Sequence, residues 1–436
     1  MSSRIPGFYR LNPKERLSQV ELRTGISPAD LEAFTQDSLK IDVADLMIEN
    51  VIGTFGLPVG IGVNFVINDR EIMIPMVVEE PSVVAAVSNM AKLTRQCGGF
   101  KAQADDSIMI GQIQLMPCEN NEVTAQAIRD AVPDLLKIGV GVHPRLEERG
   151  GGLKDIEVRT VDYDEHGESP ESWVVIHLLV DCVDAMGANI VNTLAERLAP
   201  YIQRIAGVKV GLRILSNLAD KRIATASVKI PPHLLNQEGV AGGEVANRIA
   251  AAYRFAWADP YRAATHNKGI MNGIDPVAIA TGNDWRAIEA GAHAYASRDG
   301  QYRSLTSWKV DREGNLCGSI KLPIQAGVVG GPIRVHPTVQ SNIKLMGITT
   351  ASELAEIMAS VGLAQNLGAL KALATEGIQK GHMRMHARSV AATAGATKDN
   401  VIEVARLLCE ANDFSIAKAK AILLEIENQK STSSTD

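Results

Sequence analysis

Between Ser107 and Ser216 the apolar positions change period repeatedly, and that change predicts a compact unit. SIMIGQIQLM (107–116) reads as a strand and EVTAQAIRDAVPDLLKI (122–138) as a helix. IEVRTVDYD (156–164) alternates as a strand, and SWVVIHLLVDC (172–182) is an apolar strand. ANIVNTLAERLAPYIQRIA (188–206) carries helical spacing, and VKVGLRILS (208–216) closes as a strand. The order is βαββαβ, the ferredoxin-like split unit. Before it, the first hundred residues read as helices plus one strand, EIMIPMVVEE (71–80). A helix follows from about Ser82 to Gln96, with Pro81 suited to its first turn and Gly98 to its end.

After the split unit, helices dominate from Ala224 to about Ile378, with short strands near SLTSWKVD and GNLCGSIKLP. TASELAEIMASVGLAQNLGALKALATEG (350–377) reads as an amphipathic helix pair. Beyond Gly381 three short helices form a C-terminal unit. The expected class is therefore α+β. A large, mostly helical domain with a central sheet (1–107 and 217–378) is interrupted by an inserted ferredoxin-like, non-Rossmann domain (108–216). A separate C-terminal helical unit (379–436) follows.

Composition narrows this picture. Apolar residues make up 46% and aromatics 4%, so aliphatic side chains carry the burial. The net charge of −6 and the lack of a basic run argue against a nucleic-acid partner. Five scattered cysteines, with no CxxC, argue against a disulfide framework or structural zinc site and suit a reduced, cytoplasmic interior. No uninterrupted apolar run reaches membrane-spanning length, and the opening MSSRIPGFYRLNP lacks the apolar core of a signal peptide.

The chemistry concentrates in Asp259–Ala294, which mixes Lys268, two histidines, three asparagines and three aspartates with small residues. Glycines 269, 273 and 282 suggest chain turns, and hence a loop that carries function. Lys268 is either an ordinary surface lysine or a cation, buried among small residues, that stabilises an oxyanion. Asp284 is an N-cap, a catalytic carboxylate, or both. Glu80 is a solvated strand end or a site residue at a strand-to-helix junction. His382 pairs with His386 at i, i+4, but no third ligand makes a metal site. DAMGAN (184–189) offers a small-residue turn at a helix N-terminus that phosphate could approach, or a turn in which Asp184 merely caps the helix. No GxGxxG follows a first strand. The clusters Gly150–Gly152 and Gly327–Gly331 lack Walker spacing and read as turns that could approach a ligand.

ENVIGTFGLP (49–58), VVEEPSVVAA (77–86), DAMGAN, RILSNLAD (213–220), the 259–294 block and EGIQKGHM (376–383) together resemble the class II, bacterial-type 3-hydroxy-3-methylglutaryl-coenzyme A reductases. The resemblance runs in order from near Arg10 past His386. It implies two hydride transfers that take the thioester through a hemithioacetal and an aldehyde to mevalonate and free coenzyme A. It places Lys268 at the developing oxyanion, Glu80 as proton source, Asp284 between them, and His382 at the departing thiolate. Arg262 and Ser82 would meet the substrate carboxylate, with Asn272 near the lysine and Arg10 on a coenzyme A phosphate. Asn217 and the Asp184, Met186, Gly187, Asn189 turn would meet NADH or NADPH. Some NADH-preferring members place an aspartate before the glycine triplet. The matching position here is His143, followed closely by Arg145, which favours NADPH or use of both. The resemblance further implies a homodimer or a higher oligomer of dimers, with the site between subunits. An acyl-coenzyme A lyase or hydrolase is the rival reading, and a catalytically dead coenzyme A-binding protein a third. The nucleotide-type segments argue against the lyase, and the intact catalytic set against the dead protein.

Overall fold

The computed structural model describes residues 2–35, 39–237, 239–375, 387–397 and 400–433. Three sheets organise the described chain. The first is an antiparallel hairpin of β1 (Val59–Ile67) and β2 (Arg70–Val77). The second is antiparallel in the order β3 (Lys101–Ala104), β8 (Ile223–Ile230), β10 (Leu316–Pro323), β9 (Thr306–Val310). The third contains β4 (Ile108–Leu115), β5 (Gly152–Tyr163), β6 (Glu171–Asp181) and β7 (Val210–Ser216) in the order β5-β6-β4-β7. Its neighbours are all antiparallel, as a split βαβ arrangement requires. The mixed α+β class follows directly.

Three strands, β1, the four-residue β3 and β8, are not foreseen by the sequence reading. β1 carries Gly60, Gly62 and a left-handed Asn64 (φ 72°), and its register slips between Gly62 and Phe65. That bulge breaks the alternation that marks a strand. β8 has eight residues, follows closely on β7, alternates in burial over most of its length and pairs with both β3 and β10. The 122–138 helix also divides, into Asn121–Asp130 and Val132–Gly139, with Pro133 in the first turn of the second.

The 350–377 segment is not a helix pair. It is one continuous 24-residue helix, Ala351–Ala374, started by a capping box between Thr350 and Glu353. It is the one helix among the described residues long and apolar enough to cross a membrane, but 67% of its most apolar window is buried inside this protein. It is apolar around most of its circumference because it runs through the main core, against β8 and the helices Val83–Thr94, Gly242–Ala258 and Pro260–Ala280. The split unit has its own apolar cluster, centred on Met109, Ile176 and Leu198. So do residues 387–426, around Val390, Leu408 and Ile422.

The largest departure concerns the 259–294 block. It is not a loop. Asp259 caps a 21-residue helix, Pro260–Ala280, by accepting from the N–H groups of Tyr261 and Arg262. Gly269 and Gly273 lie inside that helix. At Gly273 a Cβ would come within 2.9 Å of the Gln365 Cβ and 3.0 Å of the Val361 carbonyl oxygen. This glycine therefore serves close helix–helix approach, not a turn. Gly282 (φ 67°) does turn, and Asp284 starts the next helix, Trp285–Ala296.

Candidate active site

Lys268 and Asn272 are four residues apart, so they share one face of the 260–280 helix. Both reach the same carboxylate. Lys268 Nζ donates to Glu80 Oε2 at 2.9 Å, and Asn272 Nδ2 to Glu80 Oε1 at 3.2 Å. Pro276 cannot donate to the carbonyl of Asn272, which leaves that carbonyl outside the helical ladder. Glu80 leaves β2 and leads into Ser82, which precedes the 83–94 helix in left-handed backbone (φ 80°). The Ser82 hydroxyl is buried and has no hydrogen-bond partner. Strained backbone and an unpaired buried polar atom are features that collect at sites. The expectation of a buried lysine is not met. The Lys268 side chain is 62% exposed and that of Glu80 34%. Its helix face is open in the single chain.

Asp284 is not brought to the lysine by any hydrogen bond among the described residues. One of its oxygens accepts from the backbone N–H of Ala287 at 3.2 Å, which makes it a true N-cap, and pairs with Arg286 at 3.1 Å. The residues around it reach elsewhere. Asn283 clasps the backbone of Gly327 twice: its Nδ2 donates to the Gly327 carbonyl at 3.0 Å, and its Oδ1 accepts from the Gly327 N–H at 2.7 Å. Gly327 in turn lies on the 184–189 turn. A Cβ there would stand 2.6 Å from the Met186 nitrogen and 3.1 Å from the Asp184 carbonyl oxygen. Val328 N–H donates to that Asp184 carbonyl at 2.9 Å, and Ala185 bridges to Val329. Gln325 Nε2 donates to the carbonyls of Asn217 at 3.1 Å and Ala287 at 2.6 Å. The 184–189 turn, Asn217 and the start of the Asp284 helix thus converge on one strip, 325–328.

Gly187 (φ 106°) precedes the 188–206 helix and supplies no side-chain cap. The first-turn N–H groups keep their anion-binding capacity. Asn189 is exposed on that first turn, and Met186 is half-buried. His143 Nε2 lies 3.1 Å from the Ile190 carbonyl, which brings the 143–149 segment to the same helix end; Arg145 is exposed there. Asp184 does not cap this helix, and its carboxylate is already spoken for. It accepts from the Ala351 N–H at 3.0 Å and pairs with Arg149. It is an internal strut, buried from solvent.

The remaining candidates are scattered in the single chain. Arg262 is half-buried, and burial lowers its pKa. Arg10 is exposed and leans on Tyr9, its Nε 3.0 Å from the phenol oxygen. His382 and His386 lie outside the described residues. His266, beside the lysine motif, is a core residue whose Nε2 meets Thr306, Ser304 and Asn366 while its buried Nδ1 has no partner among the described residues, and burial pushes its pKa down to about 3. No cluster of three potential metal ligands occurs among the described residues. Asn283, Gln325 and Asp275 are missed by sequence reasoning. The glycine cluster at 327–331 was the available signal for the first two, since it marks a close backbone approach. Asp275 carries no local signal. Burial, and then the charge of Glu289 on the neighbouring helix, push its carboxyl up to about 8.

Known proteins are similar to this chain in sequence and fold. A sequence model of the family described as hydroxymethylglutaryl-coenzyme A reductase matches residues 12–387. The 3-hydroxy-3-methylglutaryl-coenzyme A reductase of Archaeoglobus fulgidus is 48% identical over 423 residues, covering 97% of this chain and 94% of that protein. A probable reductase of the same name from Borreliella burgdorferi is 35% identical and covers 88% of each chain. The solved reductase of Streptococcus pneumoniae superposes with a TM-score of 0.82 at 40% identity, covering 97% of this chain and 99% of that one. A second structure of the Streptococcus pneumoniae class II enzyme, bound to NADPH in open conformations, gives 0.81 at 42% identity, covering 85% and 99%.

Proposed function

This chain belongs to the hydroxymethylglutaryl-coenzyme A reductase family, and from that premise we propose that it converts 3-hydroxy-3-methylglutaryl-coenzyme A and reduced nicotinamide nucleotide to mevalonate and free coenzyme A. Thermodynamics permits the reverse as well. A reduced nicotinamide nucleotide bound at the 184–189 turn supplies the hydrides. Its fit rests on the uncapped helix end behind Gly187 and on the exposed Asn189. The split unit, 108–216, is the nucleotide-binding domain in this reading. Residues 1–107 and 217–378 bind substrate and coenzyme A, and 379–436 form the flap.

Lys268 places its ammonium at the thioester, and later the aldehyde, oxygen as negative charge develops. Glu80, gripped by Lys268 and Asn272, supplies a proton at the aldehyde stage and helps the hemithioacetal collapse. Asp284 tunes this pair from the nucleotide side, and His382 protonates the departing thiolate. Ser82 and Arg262 hold the substrate carboxylate, and Arg10 a coenzyme A phosphate. The open face at Lys268, and the exposed Leu46, Ile48, Ile52 and Phe55, support a site completed by a second copy of the chain. We place it in a homodimer or an oligomer of dimers. His143 and Arg145, in place of an acidic residue near the nucleotide turn, favour NADPH or use of both nucleotides.

The convergence of the 184–189 turn, Asn217 and the Asp284 helix on residues 325–328 carries this reading, because a lyase or hydrolase needs no nucleotide turn beside its carboxylate. Fluorescence titration of the protein with NADPH and NADH tests it. Binding of either supports the reductase, and binding of neither refutes it.

A further inference from the structure

Arg222 stands at the entry to β8, just past the RILSNLAD stretch, and it is buried. Its Nη1 donates to the carbonyls of Ala185 at 3.1 Å and Met186 at 3.3 Å, and its Nη2 to the carbonyl of Ala326. Two of these acceptors belong to the 184–189 turn, and the third adjoins Gly327. Among the described residues no carboxylate hydrogen-bonds to the guanidinium. Asp181 and Asp184 act on it only through space, and the oxygens of Asp184 are held by Ala351 and Arg149. Burial pushes its pKa down to about 10, which still leaves it charged at neutral pH.

A buried cation satisfied only by carbonyl dipoles is costly, and a chain keeps one where the geometry is needed. The geometry here has a consequence for the turn. In a trans peptide the C=O and N–H point in opposite directions. The Met186 carbonyl is drawn inward to Arg222, so the Gly187 N–H faces away from it, at the uncapped end of the 188–206 helix. Just upstream, Val183 is held at φ 51°, a conformation that a β-branched residue adopts only when its surroundings enforce it. A lysine could not replace the arginine, because one ammonium cannot span three carbonyls on two segments.

We propose that Arg222 is the positioning residue of the nucleotide turn: it fixes the 185–187 backbone against Ala326–Gly327 and lends the turn positive charge, so that a nucleotide phosphate meets donors already in place. This rests on the assignment of the turn to the nucleotide. The test compares wild type, Arg222→Lys and Arg222→Ala by NADPH fluorescence titration, and by calorimetric titration with 3-hydroxy-3-methylglutaryl-coenzyme A. In Arg222→Lys the Kd for NADPH rises about tenfold or more, the scale of losing one charge-assisted bond, while the thioester Kd changes less than about twofold. Millimolar guanidinium restores part of the NADPH affinity to Arg222→Ala but leaves its thioester affinity alone. If Arg222→Ala does not fold, the lysine variant decides. Unchanged NADPH affinity in Arg222→Lys, or equal losses for both ligands, overturns the positioning role while leaving the nucleotide turn standing. Wild-type protein that binds no NADPH overturns both.

Discussion

Replacement of Lys268 by alanine separates catalysis from stability. Among the described residues the ammonium has one partner, Glu80 at 2.9 Å, and the two side chains are 62% and 34% exposed. An ion pair that open to water is worth about 1 kcal/mol or less after screening and side-chain entropy are counted. In a chain of this size that corresponds to a fall in Tm of about 2 °C or less. Glu80 also keeps its bond from Asn272 in the variant. The catalytic cost is of another order. Removing one donor from an oxyanion site typically costs ~10²–10³-fold in kcat, or about 2.7–4 kcal/mol of transition-state stabilisation. The assay is loss of reduced-nucleotide absorbance at saturating thioester, set beside a thermal melt of the same preparation. The expected result is a kcat lower by two to three orders with nearly unchanged Tm. A kcat within about tenfold of wild type would remove the lysine from the chemistry. A Tm drop far beyond a few degrees would mean that Lys268 serves the fold, and the oxyanion argument would fail.

Other perturbations probe other parts of the account. His382→Ala should reduce free mevaldehyde far better than the thioester, because the aldehyde has no thiolate to expel; equal losses on both substrates contradict the protonation role. His143→Asp should shift the ratio of kcat/KM values towards NADH, since a carboxylate repels a 2′-phosphate; an unchanged ratio shows that position 143 does not meet the ribose. Gly327→Ala places a Cβ 2.6 Å from the Met186 nitrogen, a backbone atom that cannot swing aside; the denaturant midpoint should fall by the equivalent of about 1–3 kcal/mol, with weaker NADPH binding. Asp275 keeps its proton up to about pH 8 when folded but loses it near its ordinary 3.8 when unfolded, so the unfolded state binds fewer protons in that window and stability falls as pH rises through it. The Tm advantage of Asp275→Asn over wild type should therefore be absent near pH 4, grow towards pH 8 and level off above; an advantage independent of pH contradicts the raised carboxyl.

What the sequence revealed depended on the range of the interaction. The split unit was legible because its strands and helices keep clean periods, and the antiparallel order β5-β6-β4-β7 follows from that succession. The 260–280 helix reads as a loop in the sequence because Gly269, Gly273 and Asn272 are poor helix formers taken alone. What overrides propensity there is packing: Gly273 admits the 351–374 helix, a contact that no local pattern announces. The pairing of Glu80 with Lys268 spans 188 positions in the chain, and the clasp of Asn283 on Gly327 spans 44. Such contacts are invisible to spacing rules. Asp184 was legible as a polar residue at a turn, but its role as a strut to Ala351 depends on a helix end 167 residues away.

If one protein couples thioester cleavage to two hydride transfers, its stoichiometry must show it. Purified protein is supplied with 3-hydroxy-3-methylglutaryl-coenzyme A and excess NADPH, and oxidised nucleotide is counted against free coenzyme A thiol. The account predicts two nucleotides oxidised for each thiol released. Thiol released with no nucleotide consumed would contradict it and leave a lyase or hydrolase in its place.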